Sequence, residues 1–195
     1  MLGIRITVLM MVMLMASLTA RCASHTVSAQ SNLFSSVEAT FEQSIGTIPP
    51  TVSPMVQETM QVTIYHASND AMYLVPEIHV VPQNDHPAET AIQLLLAGTT
   101  NPDLIAVLPP GTILRNLWVK DHVAYVDFTD KLIKNNTGGS TSELLLVGAI
   151  VNTLTEFSTI QQVQILVAGE KINTITGHMD TAGPLSRSEK IIKKL

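Results

Sequence analysis

The sequence predicts an α/β domain of the α+β kind: a mixed β-sheet with two helices packed on one face. Three observations carry this. Short runs alternate apolar and polar residues, as in Val62-Thr63-Ile64-Tyr65-His66, the pattern of a half-buried strand. Two longer stretches, from Pro87 to Gly98 and from Ser140 to Thr155, repeat apolar residues near the helical period. These segments run strand, strand, helix, hairpin, helix, strand, and the two helices cover one face of a sheet.

The first strand begins near Gln61, and Asn69-Asp70 offers a turn to a second strand over 73–81. Pro76 cannot donate to a ladder, so this second strand belongs at an edge or is interrupted there. Asp85-His86-Pro87 starts the first helix, with Pro87 in its first turn. Ala88, Ala91, Ile92, Leu95 and Leu96 form its buried stripe, and Gly98 closes it in the left-handed conformation. Pro109-Pro110-Gly111 marks a turn. Ile113 to Val119 and Val123 to Thr129 follow as a hairpin joined at Lys120-Asp121-His122.

The second helix is the centre of the core. Ser140 and Glu143 have the S-x-x-E spacing that satisfies two helix-start amides reciprocally. Leu144, Val147, Gly148, Val151, Leu154 and Thr155 share one face, widened by Leu145, Ala149 and Ile150. Val163 to Val167 is a β-branched strand ended by Gly169, and Ile172–Ile175 is a further short strand. Leu154 is expected to point into the sheet near Ile165.

The flanks differ in texture. Residues 1–29 read as an export signal, with Arg5 before the apolar run Ile6 to Ala16. Three endings are open: cleavage after Val27-Ser28-Ala29, a lipoprotein signal ending before Cys22, or a retained anchor. Arg21 stands where a lipoprotein site carries a small residue. Cys22 is the lipidation candidate and the one cysteine, so no intramolecular disulfide forms. Residues 30–60 are a Pro/Ser/Thr-rich spacer, with a short amphipathic helix around Leu33–Phe41 as a further option. The domain proper runs over 61–186. The tail 187–195 holds four basic residues and one acid, and reads as a mobile arm or a helix.

Composition excludes some functions. The net charge is −5 over 195 residues, and loss of Arg5 and Arg21 with the signal takes it to −7. Such a chain lacks the basic surface that nucleic acid needs. With one Trp, three Tyr and four Phe the core must be aliphatic, and platforms for stacking sugars are few. No His-x-x-x-His pair or cysteine cluster is present, so no metal site and no cofactor are expected. His178 and Asp180 form the one close ligand-type pair.

No G-x-S-x-G elbow is found, and pairing Asp127 with Glu156 is the kind of carboxylate pair any chain with sixteen acids permits. Gly138-Gly139-Ser140 lacks the P-loop lysine spacing and reads as a helix start. No catalytic residue is assigned and no enzymatic activity is expected. Asn152, Thr153, Thr155 and Glu156 place polar groups along an apolar helix. They are candidate interaction or fold-signature residues, and buried ones need internal partners.

The runs Val151 to Phe157 and Val163 to Gly169 closely resemble the second half of the GerMN domain of sporulation and germination envelope proteins. Leu94 to Gly98, Leu108-Pro109-Pro110-Gly111-Thr112, Val126-Asp127-Phe128-Thr129, Gly177-His178 and Pro184-Leu185 resemble its other segments in the same order. The likeness covers about 61–186, one copy. It implies a fold like the ring-building domains of secretion and sporulation machines. It also implies a non-catalytic scaffold in the cell envelope, exported, with envelope proteins or other copies of itself as partners. The membrane would be touched only through the signal or a lipid anchor. Binding of a small cell-wall-derived ligand is the alternative, and envelope hydrolysis a more distant one.

Overall fold

The computed structural model of the chain describes residues 57–194. The export signal, Cys22, the spacer up to residue 56 and the Leu33–Phe41 option lie outside the described residues.

The fold is α+β, with two main helices and two sheets. Strands β1 (Thr59–Ser68) and β2 (Leu74–Pro82) form an antiparallel hairpin through the Asn69-Asp70 turn, and β3 (Leu104–Ile105) pairs with the end of β1. Strands β4 (Leu114–Lys120) and β5 (Val123–Phe128) form the second hairpin. Its turn residues Asp121 and His122 have φ of 52° and 61°, the left-handed pair that matches the twist of the flanking strands. Strand β6 (Gln162–Val167) lies parallel to β5. The short strands β7 (Glu170–Lys171) and β8 (Leu185–Ser186) pair antiparallel with β6.

The expected single mixed sheet is thus divided. Beyond β3, the open edge of β1 is met by a helix: the Tyr65 N–H donates to Thr153 Oγ1 at 3.2 Å. A threonine hydroxyl takes the place of a neighbouring strand, so the β1 ladder does not continue into β4–β7. Pro76 sits on β2, an outer strand, as its missing N–H requires.

Helix α1 (Pro87–Ala97) starts with Pro87 and ends at Gly98, whose φ of 80° and ψ of −164° only glycine adopts readily. After the one-turn α2 (Lys131–Lys134) comes α3 (Ser140–Leu154). Its residues 145–154 are all buried. Leu154, Ile150 and Leu146 join Val126, Phe128 and Ile165 in one apolar core, mostly aliphatic. A smaller cluster of Val62, Ile64 and Ala91 lies between α1 and the first sheet.

Further expectations are corrected. Ser140 does not cap α3: Gly139 holds the cap position, its carbonyl accepts from the Glu143 N–H at 3.0 Å, and no side chain caps the end. Ser140 is already inside the first turn, and the Glu143 carboxylate is engaged elsewhere. Leu144 is 39% exposed instead of sharing the buried face, because the core wraps the helix from Leu145 onward. No strand forms at Ile172–Ile175. Glu170–Lys171 ends the pairing, and the chain then loops over the start of α3.

The tail beyond 186 is neither a loose arm nor an α-helix. It makes one 3₁₀ turn, Glu189–Ile191, packs Ile191 and Ile192 against the core, and bridges Leu74 of β2 through Ile192. Gly148 permits this: a Cβ there would collide with Ile191 Cδ1.

Candidate functional site

The polar residues at the end of α3 gather around Arg187 and Tyr65. Asn152 is fully buried. Its Nδ2 donates to the Ser188 carbonyl and its Oδ1 accepts from the Ser188 N–H, both at 3.0 Å. It reads the tail backbone as a strand would. Thr153 holds β1, as described above. Thr155 Oγ1 donates back to the Val151 carbonyl at 2.8 Å, within its own helix.

Glu156 Oε1 accepts from Tyr65 Oη at 2.6 Å and lies 2.8 Å from Arg187 Nη1. Arg187 also donates to Tyr65 Oη at 2.7 Å and to the Asn152 carbonyl at 3.0 Å, and its Nε meets Glu189. Burial and the Glu156 hydrogen bond raise the Tyr65 pKa above its ordinary value of 10.0, against the pull of Arg187. Arg187 is pushed further up despite its burial, by Glu189 and Tyr65. A phenol held protonated by a carboxylate, with a guanidinium across both, is a clamp.

Asp127 and Glu156 are not joined into an acid pair. Asp127 Oδ1 accepts from the Gly169 N–H at 2.9 Å, and Oδ2 meets Arg115 at 3.1 Å. It pins the β6–β7 turn, where Ala168 and Gly169 both have positive φ.

Sequence reasoning missed the most heavily bonded side chain of the domain. Glu143 is fully buried at the start of α3. Its Oε1 accepts from Thr174 Oγ1 at 2.7 Å and from the N–H groups of Ile175 and Thr176 at 2.9 and 3.0 Å. Its Oε2 accepts from Thr176 Oγ1 at 2.7 Å and the His178 N–H at 2.8 Å. Burial by itself would raise its pKa, but these donors outweigh it and hold the carboxyl down at about 2. The signal was present as Thr174-x-Thr176-Gly177, a donor-rich turn, but nothing in the spacing connects it to Glu143.

His66 is the opposite case: fully buried, with no well-formed hydrogen bond to either ring nitrogen and the Gly98 backbone close enough to favour its charge slightly. Burial lowers its pKa below 6.5, and nearby Glu77 and His79 pull in opposite directions. His79 Nε2 lies 3.2 Å from Glu77 Oε1. Among the described residues no three His, Cys, Asp or Glu side chains converge as a metal site would need. His178 contributes its backbone N–H to the Glu143 cradle, and Asp180 Oδ1 accepts from the Ala182 N–H.

Among the features open to solvent are a cleft and two strand edges. A cleft of about 260 Å³ lies between the start of α1, β4 and the chain after α3, lined by His86, Glu89, Leu117, Val119 and Phe157 among others. The outer strands β2 and β4 expose Ile78, Val80, Trp118 and Val119, at 64, 66, 40 and 45%. Trp118 stacks on Tyr125 across the hairpin, centroids 5.2 Å apart.

Comparison with known proteins gives the same architecture. The tandem GerMN domains of the sporulation protein GerM from Bacillus subtilis align over 66% of this chain at 24% identity and a TM-score of 0.58. This chain spans 46% of that structure. The first GerMN domain of the same protein, by itself, is covered to 98%, over 66% of this chain, at 24% identity and a TM-score of 0.57. At that identity the likeness shows the fold. No curated protein matches the chain. The family model described as "Germane: Sporulation and spore germination" matches residues 63–173, well over half of the chain. With one copy of the domain over that span, the chain belongs to the Germane (GerMN) family associated with sporulation and spore germination.

Proposed function

We propose that this chain is an exported cell-envelope protein whose GerMN domain acts without catalysis, as a protein–protein interaction module in sporulation or spore germination. The observation that supports it is the division of polar and apolar groups. Glu143, Asn152 and Thr153 of α3, and Thr155 and Glu156 after it, are spent on internal bonds, while Ile78, Val80, Trp118 and Val119 stand exposed on outer strands of the two sheets. Apolar side chains exposed on outer strands favour association with other protein. Export rests on the apolar run followed by Cys22 and by Val27-Ser28-Ala29. The mature protein then begins near Gln30, carries a lipid on Cys22, or keeps the apolar run as an anchor.

Photo-crosslinkers placed at Ile78 and at Val119 in envelope fractions test the reading, with exposed Glu170 of β7 as control. Protein adducts from the strand edges and none from Glu170 are expected. A chain found in the cytosol with an intact N-terminus, or with no adducts at either edge, overturns it. Turnover of an envelope substrate that Glu156→Gln abolishes would show an enzyme instead. The cleft beside Phe157 favours the second reading, a small cell-wall-derived ligand. Perturbation of Phe157 by muropeptides, with no protein adducts, would select it.

A further inference from the structure

The outer edge of β2 is short, and its limits are set by covalent structure. The Gln83 N–H donates to the Glu58 carbonyl and the Ser68 N–H to the Tyr73 carbonyl. The β1–β2 register is continuous between these two bonds. Hydrogen-bonded pairs alternate along an antiparallel ladder, so residues 75, 77, 79 and 81 of β2 turn their backbone groups towards β1. Residues 74, 76, 78, 80 and 82 turn theirs outward. Pro76 and Pro82 have no N–H, and the Leu74 carbonyl already accepts from the Lys193 N–H at 2.8 Å. Among the described residues, the outward N–H groups of Ile78 and Val80 have no partner, and both side chains are exposed on one face.

We propose that β2 pairs antiparallel with β2 of a second copy of this chain, about a two-fold axis at His79. This rests on the interaction-module reading and names its partner. In that register Ile78 lies opposite Val80 of the other copy, so each free N–H meets a free carbonyl, giving four hydrogen bonds. Pro76 lies opposite Pro82, where no donor is left unmet. The strand of the second copy ends before it reaches the slot beside Leu74 that Ile192 and Lys193 occupy. On the exposed face two Ile78 and two Val80 side chains form one apolar cluster. On the other face Glu77 of each copy lies diagonal to His79 of the other, within reach of a long side chain and opposite in charge when the imidazole is protonated. Other two-fold registers of this edge bring the incoming strand against Ile192 or set the Ile78 or Val80 carbonyl opposite a proline, which has no N–H to give it. One strand pair buries far less than the roughly 1,600 Å² of a standard interface, so association is weak in dilute solution and grows where copies are concentrated on a surface.

The test uses the protein expressed from the full sequence with Cys22→Ser, so that one introduced cysteine reports. In this register His79 faces itself as a non-hydrogen-bonded pair, Cα atoms about 4.5 Å apart, within disulfide range. His79→Cys should give a disulfide-linked dimer under mild oxidation. Thr63→Cys, on the same hairpin, should stay at least tenfold less linked. Adding Ile78→Lys to His79→Cys should lower linkage at least tenfold with an unchanged thermal melt. Sedimentation should show mass rising with concentration, and less so with Ile78→Lys. Equal linkage at Thr63 and His79, linkage at Val119→Cys but not at His79→Cys, or a monomer at every concentration overturns the proposal. If His79→Cys links in envelopes only to a different protein, the second copy is wrong and the interaction module stands. If the chain makes no envelope contact at either edge, the module itself fails.

Discussion

Two fully buried titratable side chains show how differently this domain treats polar groups. Glu143 enters the core with five donors around it, and His66 enters with none. The carboxylate is charged, so it must be solvated by the protein itself, and the 174–178 loop supplies what water would. The imidazole can shed its proton and enter neutral at a modest cost. Burial therefore drives one group towards more partners and the other towards loss of charge. The first ties two distant segments together, and the second leaves a weak point sensitive to pH.

Removing the carboxylate should have the largest effect. Glu143→Ala leaves the donors of Thr174, Ile175, Thr176 and His178 without their acceptor, and should cost on the order of 3–5 kcal/mol. Chemical denaturation measures it. A cost below about 1 kcal/mol would mean that the loop finds other partners or water, and the contrast with His66 would collapse.

Acid should reproduce much of that loss without mutation. The Glu143 pKa falls from 4.5 to about 2 on folding. A depressed carboxyl contributes stability that is whole above the unfolded value and is lost as pH falls through the folded one. The window is therefore about 4.5 down to 2, and the loss about 3 kcal/mol. Urea melts across this range should show a slope that Glu143→Gln removes.

His66 acts in a higher window with the same sign. Its folded pKa lies below 6.5, so the unfolded chain takes up the proton first and stability falls as pH drops below 6.5. His66→Leu should be close to neutral at pH 8, within about 1 kcal/mol, and should flatten the slope below pH 6.5. A slope that persists in His66→Leu would place the titration on another group.

The smallest effect belongs to a half-exposed case. Glu156 shares its charge between Tyr65 and Arg187 at about 30% side-chain exposure. Glu156→Gln keeps the shape and should cost no more than about 1 kcal/mol. It should also leave any envelope contact intact. A loss as large as that of Glu143→Ala would show that the clamp on the tail, rather than the cradle, closes the core.

Much of this was legible along the chain. The hairpin at Asp121-His122, the Pro87 start and Gly98 end of α1, the edge placement of Pro76 and the burial of Leu154 follow from residue types at short spacing. Each depends on local geometry: a positive φ, a missing N–H, a helical period. Asn152, Thr153 and Glu156 were visible as polar groups on a buried helix, which required internal partners without naming them.

What the sequence by itself determined is therefore the two main helices, the two hairpins and β6, their order, and the family they belong to. Tertiary structure alone decided the partners. Glu143 has the spacing of a helix cap, but five donors from thirty residues downstream outbid one helix-start amide for its oxygens. The S-x-x-E motif ranks local bonds only against other local bonds. Ile191 reaches the core because Gly148 leaves it room, and the helix pattern around that glycine carries no trace of the tail. The division into two sheets has the same origin, since the edge of β1 goes to a threonine hydroxyl 88 residues away. A local pattern states what a side chain can bond, and which bond forms depends on what the folded chain brings within 3 Å.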